Sequence, residues 1–314
     1  MAKRTLDSFF KPQNENKKPK IEPTSSTHHP SYPSPISDLP SHISVGLCHA
    51  TPDASPREIN NQPHLDLLYM QPFIPSPTAK ELFKFLRDEL PFYRVQYSIR
   101  RGAVETIVNT PRFTTVFGVD DTSKFIQNED SLILVDSKTD QPVRMSRYQY
   151  TPRPIPPCLD LLRQRVEAAT ADGTRYNFCL VNFYATGDDS IAYHSDDERF
   201  LASHPTIASL SLGARRDFVL KHKPAPDMDD TDSKDPLKFA LGPGDMIIMR
   251  GETQANWLHS IPKRRGESQG RINITFRKAV VPAGTNNYYN YNVGSGPVYR
   301  WDEGAMKMVK RDHV

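Results

Sequence analysis

The sequence predicts a mainly β protein with flanking helices, its strands packed as a β-sandwich or jelly roll. Three observations carry that expectation. From residue 178 onward the chain shows only short strand-like runs, over 178–183, 190–194, 207–212, 216–221, 238–241, 245–249 and 272–277. Turn sequences punctuate them at Thr186-Gly187-Asp188-Asp189 and Gly242-Pro243-Gly244-Asp245, a spacing that suits small all-β folds. The 314-residue chain also holds 28 prolines against 15 glycines, which excludes a helix bundle because proline breaks helix interiors.

The elements follow in order. Thirteen of the 28 prolines fall in residues 1–77. Residues 11–63 read as Ser, Pro, Asn, Thr and His without hydrophobic period, so residues 1–63 are expected to form a disordered N-terminal arm. Order is expected from about His64. A short strand over 65–69 precedes a helix over 79–90, capped by Thr78 and stopped by Pro91, whose Leu82, Phe83, Leu86 and Leu90 recur at helical spacing. Strand-type runs at 114–117 and 132–135 follow, then an amphipathic helix over 157–169 through Leu161, Leu162, Val166 and Ala169. Residues 224–236 read as an acidic, solvated loop between two strands. One folded domain is expected over 64–280, with a Tyr- and Asn-rich extension over 281–314.

Composition excludes several classes. With 40 Lys and Arg against 37 Asp and Glu, the formal charge of +3 is too small to argue for nucleic acid alone; local clusters must carry that. A mean hydropathy of -0.60 and the lack of about 18 consecutive apolar residues argue against a membrane-spanning helix. No apolar leader is visible in residues 1–30. The three cysteines (Cys48, Cys158, Cys179) have no CxxC spacing, which excludes a disulfide scaffold and a cysteine zinc knuckle. An intracellular protein is expected.

His194-Ser195-Asp196 ends an expected strand. Residues i and i+2 of a strand point to the same side, so an imidazole and a carboxylate face one point. His259, 63 residues beyond Asp196 in Asn256-Trp257-Leu258-His259, offers a third ligand. Two His and one carboxylate are the ligand set of non-haem Fe(II) oxygenases, which leaves coordination positions open for substrates. Farther on, Arg271-Ile272-Asn273-Ile274-Thr275-Phe276-Arg277 alternates strictly. Arg271, Asn273, Thr275 and Arg277 share one face and the apolar residues share the other. Two arginines on an inner face would be costly without anions, and a dicarboxylate beside the metal would supply them. Asn182 and Tyr184 form a second polar pair at strand spacing.

Taken in order, Asn182-Phe183-Tyr184, His194-Ser195-Asp196-Asp197-Glu198, Ser211-Leu212-Gly213, Gly244-Asp245, His259 and the strand over 271–277 resemble the AlkB family of Fe(II)/2-oxoglutarate dioxygenases. The resemblance covers roughly residues 65–280. It implies a double-stranded β-helix (jelly-roll) core, with Fe(II) held by His194, Asp196 and His259. It implies 2-oxoglutarate held by Asn182, Tyr184, Arg271, Asn273, Thr275 and Arg277. It also implies oxidative removal of an N-methyl group as formaldehyde, with succinate and CO2 as co-products.

Within that resemblance, alkylated DNA presented as a flipped base is the expected substrate, with 1-methyladenine and 3-methylcytosine as the type of lesion. Glu198 stands where DNA-acting members read the amino edge of the base. Lys263-Arg264-Arg265 stand on a loop where duplex-acting members grip phosphate. Arg112 and Phe113, with Arg100-Arg101 upstream, resemble the nucleotide-recognition lid, and Tyr148, Phe113 and His194 are candidate stacking partners. An RNA demethylase of the same family is the alternative, and an inactive clamp-tethered adaptor a more distant one. Residues 3–12 resemble a PCNA-binding peptide. Leu6, Phe9 and Phe10 occupy one face of a helical turn, while Lys3 replaces the motif's leading Gln. With the basic cluster Lys17-Lys18-Pro19-Lys20, this points to a nuclear protein, and a monomer is expected.

Overall fold

The computed structural model describes residues 25–49, 55–128, 131–148, 150–196, 198, 200–224, 235–281 and 296–311. Two antiparallel sheets face each other as a jelly roll. The larger has seven strands in the order Arg57–Ile59, Leu67–Met70, Met246–Met249, Ile207–Gly213, Arg271–Arg277, Phe178–Tyr184 and Phe113–Gly118. The smaller has four, in the order Ile191–His194, Trp257–Ile261, Arg216–His222 and Leu237–Leu241.

Alternation sorts the two faces of the larger sheet. Ile272, Ile274 and Phe276 join Val181, Phe183, Leu210 and Leu212 in a core layer. Two helices, Ser76–Glu89 and Pro157–Thr170, cover that layer through Leu82, Leu86, Leu159 and Leu162. The opposite face packs Val116, Leu180 and Ile247 toward Phe218, Leu220 and Ile261 of the smaller sheet. Polar residues of this inner face line a cavity between the sheets. Register brings them together: Asn182 pairs with Asn273, Tyr184 with Arg271, and Ser211 also with Asn273.

Glycine is required where chain segments meet closely. Gly244 has φ +89°, and a Cβ there would lie 2.0 Å from the Ile74 carbonyl oxygen. Its own carbonyl accepts from the N–H groups of Phe73 and Ile74. That contact seats the start of the first covering helix on the turn before Met246–Met249.

Several expectations need correction. The arm is not unstructured up to residue 63. Ser41–His49 is a helix, and its Ile43 and Leu47 are buried with Tyr32 and Ile36 against the helical layer. Arg57–Ile59 adds a strand at the edge of the larger sheet. This segment makes no core of its own; a few apolar residues complete a surface the domain already offers. Thr78 does not cap the next helix, which begins at Ser76 after Pro75, with proline in its first turn. Proline's fixed φ suits that position, and its missing N–H would have had no partner there. The strand over 132–135 is one arm of a separate hairpin, Ser123–Asn128 with Ser131–Asp136.

Two hairpins were not anticipated. Gln96–Arg101 with Val104–Asn109 stands apart as its own two-stranded sheet. Val298–Asp302 with Lys307–Arg311 packs Trp301 against Phe183 and the Arg87 guanidinium. The PCNA-like peptide, the basic cluster, most of the acidic loop and much of the Tyr/Asn-rich stretch lie outside the described residues.

Candidate active site

The smaller sheet places the three candidate metal ligands. His194 and His259 are direct partners on neighbouring antiparallel strands, with ring centroids 4.2 Å apart. Asp196 Oδ1 lies 3.8 Å from His194 Nε2, and its Oδ2 lies 3.9 Å from His259 Nε2. Each gap is shorter than two ordinary metal–ligand bonds of about 2.1 Å. One cation can therefore meet all three side chains.

Their surroundings suit a cation. His194 Nδ1 donates to the Ala192 carbonyl at 2.9 Å, which directs its Nε2 toward Asp196. Burial pushes His259 down to about 3, against the opposing pull of Asp196, so its imidazole is neutral. Burial works to raise the Asp196 carboxyl, but Arg277, then His259 and His194, outweigh it and hold Asp196 below the usual carboxylate range. Arg277 Nη2 donates to Asp196 Oδ1 at 2.9 Å and its Nη1 donates to Glu198 Oε1 at 2.6 Å. The Phe218 ring, 5.3 Å from the His259 ring, closes one side.

Buried positive charge gathers beside this cluster. Arg271 is 1% exposed, and its Nη2 donates to Ser211 Oγ at 2.8 Å. Its Nε and Nη1 have no hydrogen-bond acceptor among the described residues. Burial pushes its guanidinium down to about 10; nearby Tyr184 opposes this and Arg216 adds to it. The Tyr184 ring lies 5.4 Å from the Arg271 Cζ and 5.7 Å from that of Arg216. Asn182 Oδ1 accepts from Thr114 Oγ1 and Arg112 Nε, which turns its NH2 group away from them. Asn273 Nδ2 donates to Ser209 Oγ and the Leu210 carbonyl, tying two strands of the wall.

The metal-ligand cluster, Asn182, Tyr184 and Asn273 line a cavity of about 450 Å³, and Arg271 lies behind Tyr184 without lining it. A sequence profile described as the 2OG-Fe(II) oxygenase superfamily matches residues 66–277, about two thirds of the chain. The chain belongs to the 2OG-Fe(II) oxygenase superfamily. Its similar relatives are AlkB homologues. It is 42% identical over 138 residues to the alpha-ketoglutarate-dependent dioxygenase alkB homolog 3 of Rattus norvegicus, covering 43% of this chain and 46% of the other. It is 40% identical over 128 residues to the DNA oxidative demethylase ALKBH2 of Bos taurus, covering 41% and 45%. With ALKBH2 of Arabidopsis thaliana it shares 32% identity over 228 residues, covering 68% and 66%. The chain thus spans about half the length of the first two relatives.

As a 2OG-Fe(II) oxygenase, this chain has a donor set that fits Fe(II): two imidazoles and one buried carboxylate. It also fits 2-oxoglutarate, because Arg271 is a buried cation with two nitrogens that find no acceptor among the described residues. Asn182, Tyr184, Asn273, Thr275 and Arg277 line the same cavity as the metal ligands, as do Arg112 and Glu198. Glu198 Oε2 is buried without a hydrogen-bond partner among the described residues.

Other expected residues lie elsewhere. Phe113 points into the helix-covered layer, 6.4 Å from Phe183 and 5.2 Å from Tyr299 by ring centroids, and cannot stack on a base in the cavity. Tyr148 is buried away from the cavity, where its hydroxyl donates to Ser123 Oγ or Asp120 Oδ2. Lys263, Arg264 and Arg265 are exposed on the loop after Trp257–Ile261, outside the cavity. That loop is tied to the turn at Gly187 by backbone hydrogen bonds.

Sequence reasoning also missed participants. Tyr97, on the separate hairpin, reaches the cavity and is half exposed. Arg216 is 1% exposed and donates to the carbonyls of Thr186, Asp189 and Pro262, clamping the loops that flank the metal strands. Gln254 contacts the Asp196 backbone across 58 residues of sequence. The exposed apolar run of the hairpin was a usable signal for Tyr97. No local pattern marks the other two.

Proposed function

We propose that this protein is an Fe(II)- and 2-oxoglutarate-dependent dioxygenase that removes N-methyl groups from bases in DNA. The observation that carries the proposal is a single cavity holding the His194–Asp196–His259 cluster with the buried Arg271 guanidinium close behind Tyr184. Bound together, Fe(II), 2-oxoglutarate and O2 would supply the oxidant that hydroxylates the methyl carbon, after which formaldehyde is lost and the base restored.

The chain's own residues bind, orient and exclude water. Arg271 pairs with the far carboxylate of the co-substrate, where low dielectric makes a charge-assisted bond strong. The Tyr184 ring and the Asn182 amide shape that end. Arg277 keeps Asp196 ionised and fixes Glu198. Glu198 Oε2 is an acceptor for the exocyclic amine of the base, and its charge complements the positive charge of 1-methyladenine or 3-methylcytosine. Tyr97 takes the stacking role that Phe113 and Tyr148 cannot fill. Arg264 and its basic neighbours serve phosphate contacts at the mouth. Outside the described residues, Leu6, Phe9 and Phe10 would dock on PCNA and Lys17–Lys20 would direct a monomeric protein to the nucleus. A pull-down with the Phe9→Ala, Phe10→Ala double variant tests the clamp reading, and unchanged capture of PCNA contradicts it.

Matched oligonucleotides carrying 1-methyladenine or 3-methylcytosine, as single-stranded DNA, duplex DNA and RNA, test the substrate. Formaldehyde release from DNA supports the proposal. Turnover confined to RNA contradicts it, and no turnover with any substrate favours an adaptor.

A further inference from the structure

Asp196 is the ligand that the sheets do not hold. His194 and His259 are fixed opposite each other by strand pairing. The strand Ile191–His194 ends two residues before Asp196. Beyond that end, the Asp196 backbone N–H donates to the side-chain Oε1 of Gln254 at 2.8 Å.

Gln254 is 2% exposed, and its Nε2 donates to the Met249 thioether at 3.1 Å. A backbone N–H can only donate, so the amide oxygen must face Asp196 and the NH2 must face the sulfur. The orientation of the amide is set by its neighbours. Gln254 is itself anchored: its carbonyl accepts from Lys223 Nζ at 3.0 Å. It lies in the helical turn Thr253–Asn256, which runs directly into the strand Trp257–Ile261 that carries His259. One side chain thus ties the approach to the His259 strand to the backbone of Asp196.

We propose that Gln254 is a positioning residue for the metal site, holding Asp196 at the separation from His259 that a single cation requires. The proposal rests on reading His194, Asp196 and His259 as the metal ligands. Arg277 cannot do this work alone. It grips the Asp196 carboxylate but also binds Glu198, and neither contact restrains the Asp196 backbone. Removing groups that orient a metal's ligands commonly costs about 10- to 100-fold in affinity.

The test is a Co(II) titration of the metal-free full-length protein, read by visible d–d absorption. Gln254→Met removes the acceptor and keeps the volume, whereas Gln254→Ala removes both. Gln254→Glu keeps an oxygen of the same reach. Asp196→Ala is the control for the metal site, and unfolding temperatures without metal show which variants fold. The expected result is an affinity loss of about 10-fold or more, with an altered d–d band, in Gln254→Met and Gln254→Ala. Gln254→Glu should stay close to wild type. If one acceptor-free variant fails to fold, the other decides. Wild-type affinity and spectrum in an acceptor-free variant, with binding abolished by Asp196→Ala, overturn the proposal. So does an equal loss in Gln254→Glu, since that reflects packing and not the acceptor. Co(II) binding retained by Asp196→Ala overturns the metal-site reading itself.

Discussion

The Arg271 guanidinium lies 5.4 Å from the centre of the Tyr184 ring, 1% exposed, with two of its nitrogens lacking an acceptor among the described residues. A buried cation without an anion weakens the fold it sits in, so its presence points to a ligand. Arg271→Met should weaken binding of N-oxalylglycine, an inert 2-oxoglutarate analogue, by about 2–3 kcal/mol. The same substitution should leave the unliganded unfolding temperature unchanged or raised. Calorimetric titration of the Mn(II)-loaded protein checks the first effect and thermal unfolding the second. Unchanged analogue affinity would refute this role for Arg271.

Phe113 and Tyr97 should behave oppositely. Phe113 is a core ring, and Phe113→Ala should destabilise by roughly 3–5 kcal/mol. The milder Phe113→Leu should fold and keep the KM for oligonucleotide. Tyr97 is half exposed at the cavity. Tyr97→Ala should change stability by less than about 0.5 kcal/mol and raise that KM several-fold. Denaturant melts and steady-state kinetics separate the two.

Leu47 reports on the N-terminal segment. It is fully buried on Ser41–His49 against the helical layer. Leu47→Ala should cost about 2–4 kcal/mol in urea unfolding. No change would mean the helix does not pack on the domain.

His29 makes the same segment pH-sensitive. Its Nε2 donates to the Leu132 carbonyl at 3.0 Å, and its Nδ1 accepts from the Ser31 N–H at 3.2 Å. Burial lowers its pKa below the usual histidine value of 6.5, against a smaller opposing effect of the Leu132 bond. The docked state therefore binds the proton less readily than the undocked one. Its stability is full above about pH 6.5 and falls as pH drops below that value. Hydrogen exchange over residues 25–37, corrected for intrinsic rates, should show protection lost on acidification. His29→Gln should flatten that dependence.

What the sequence revealed follows from how far each signal reaches. Alternation along Arg271–Arg277 sorts polar from apolar residues within one strand, and the structure keeps that sorting. The His194/Asp196 pair is equally local. Alternation fixes parity but not which face meets the cavity, so Phe113 and Thr114 could not be told apart beforehand; the structure turns Phe113 into the helix-covered layer and Thr114 toward Asn182. His259 lies within a strand, Trp257–Ile261, that the sequence did not mark, since nearly every residue there is buried and no alternation shows it. The helix at Ser41–His49 rests on a single buried i, i+4 pair, Ile43 and Leu47. Gln254 meets Asp196 across 58 residues, a contact that only the folded chain creates.

The central claim is that His194, Asp196 and His259 form the centre of an oxidative DNA demethylase. Its most direct test is a single-turnover assay with one 1-methyladenine in single-stranded DNA, measuring formaldehyde, succinate and restored adenine together for wild type and Asp196→Ala. Equimolar products from the wild type, requiring both Fe(II) and 2-oxoglutarate, with none from a folded Asp196→Ala, are the predicted result. Adenine restored by Asp196→Ala at the wild-type rate, or by the wild type without 2-oxoglutarate, would contradict it.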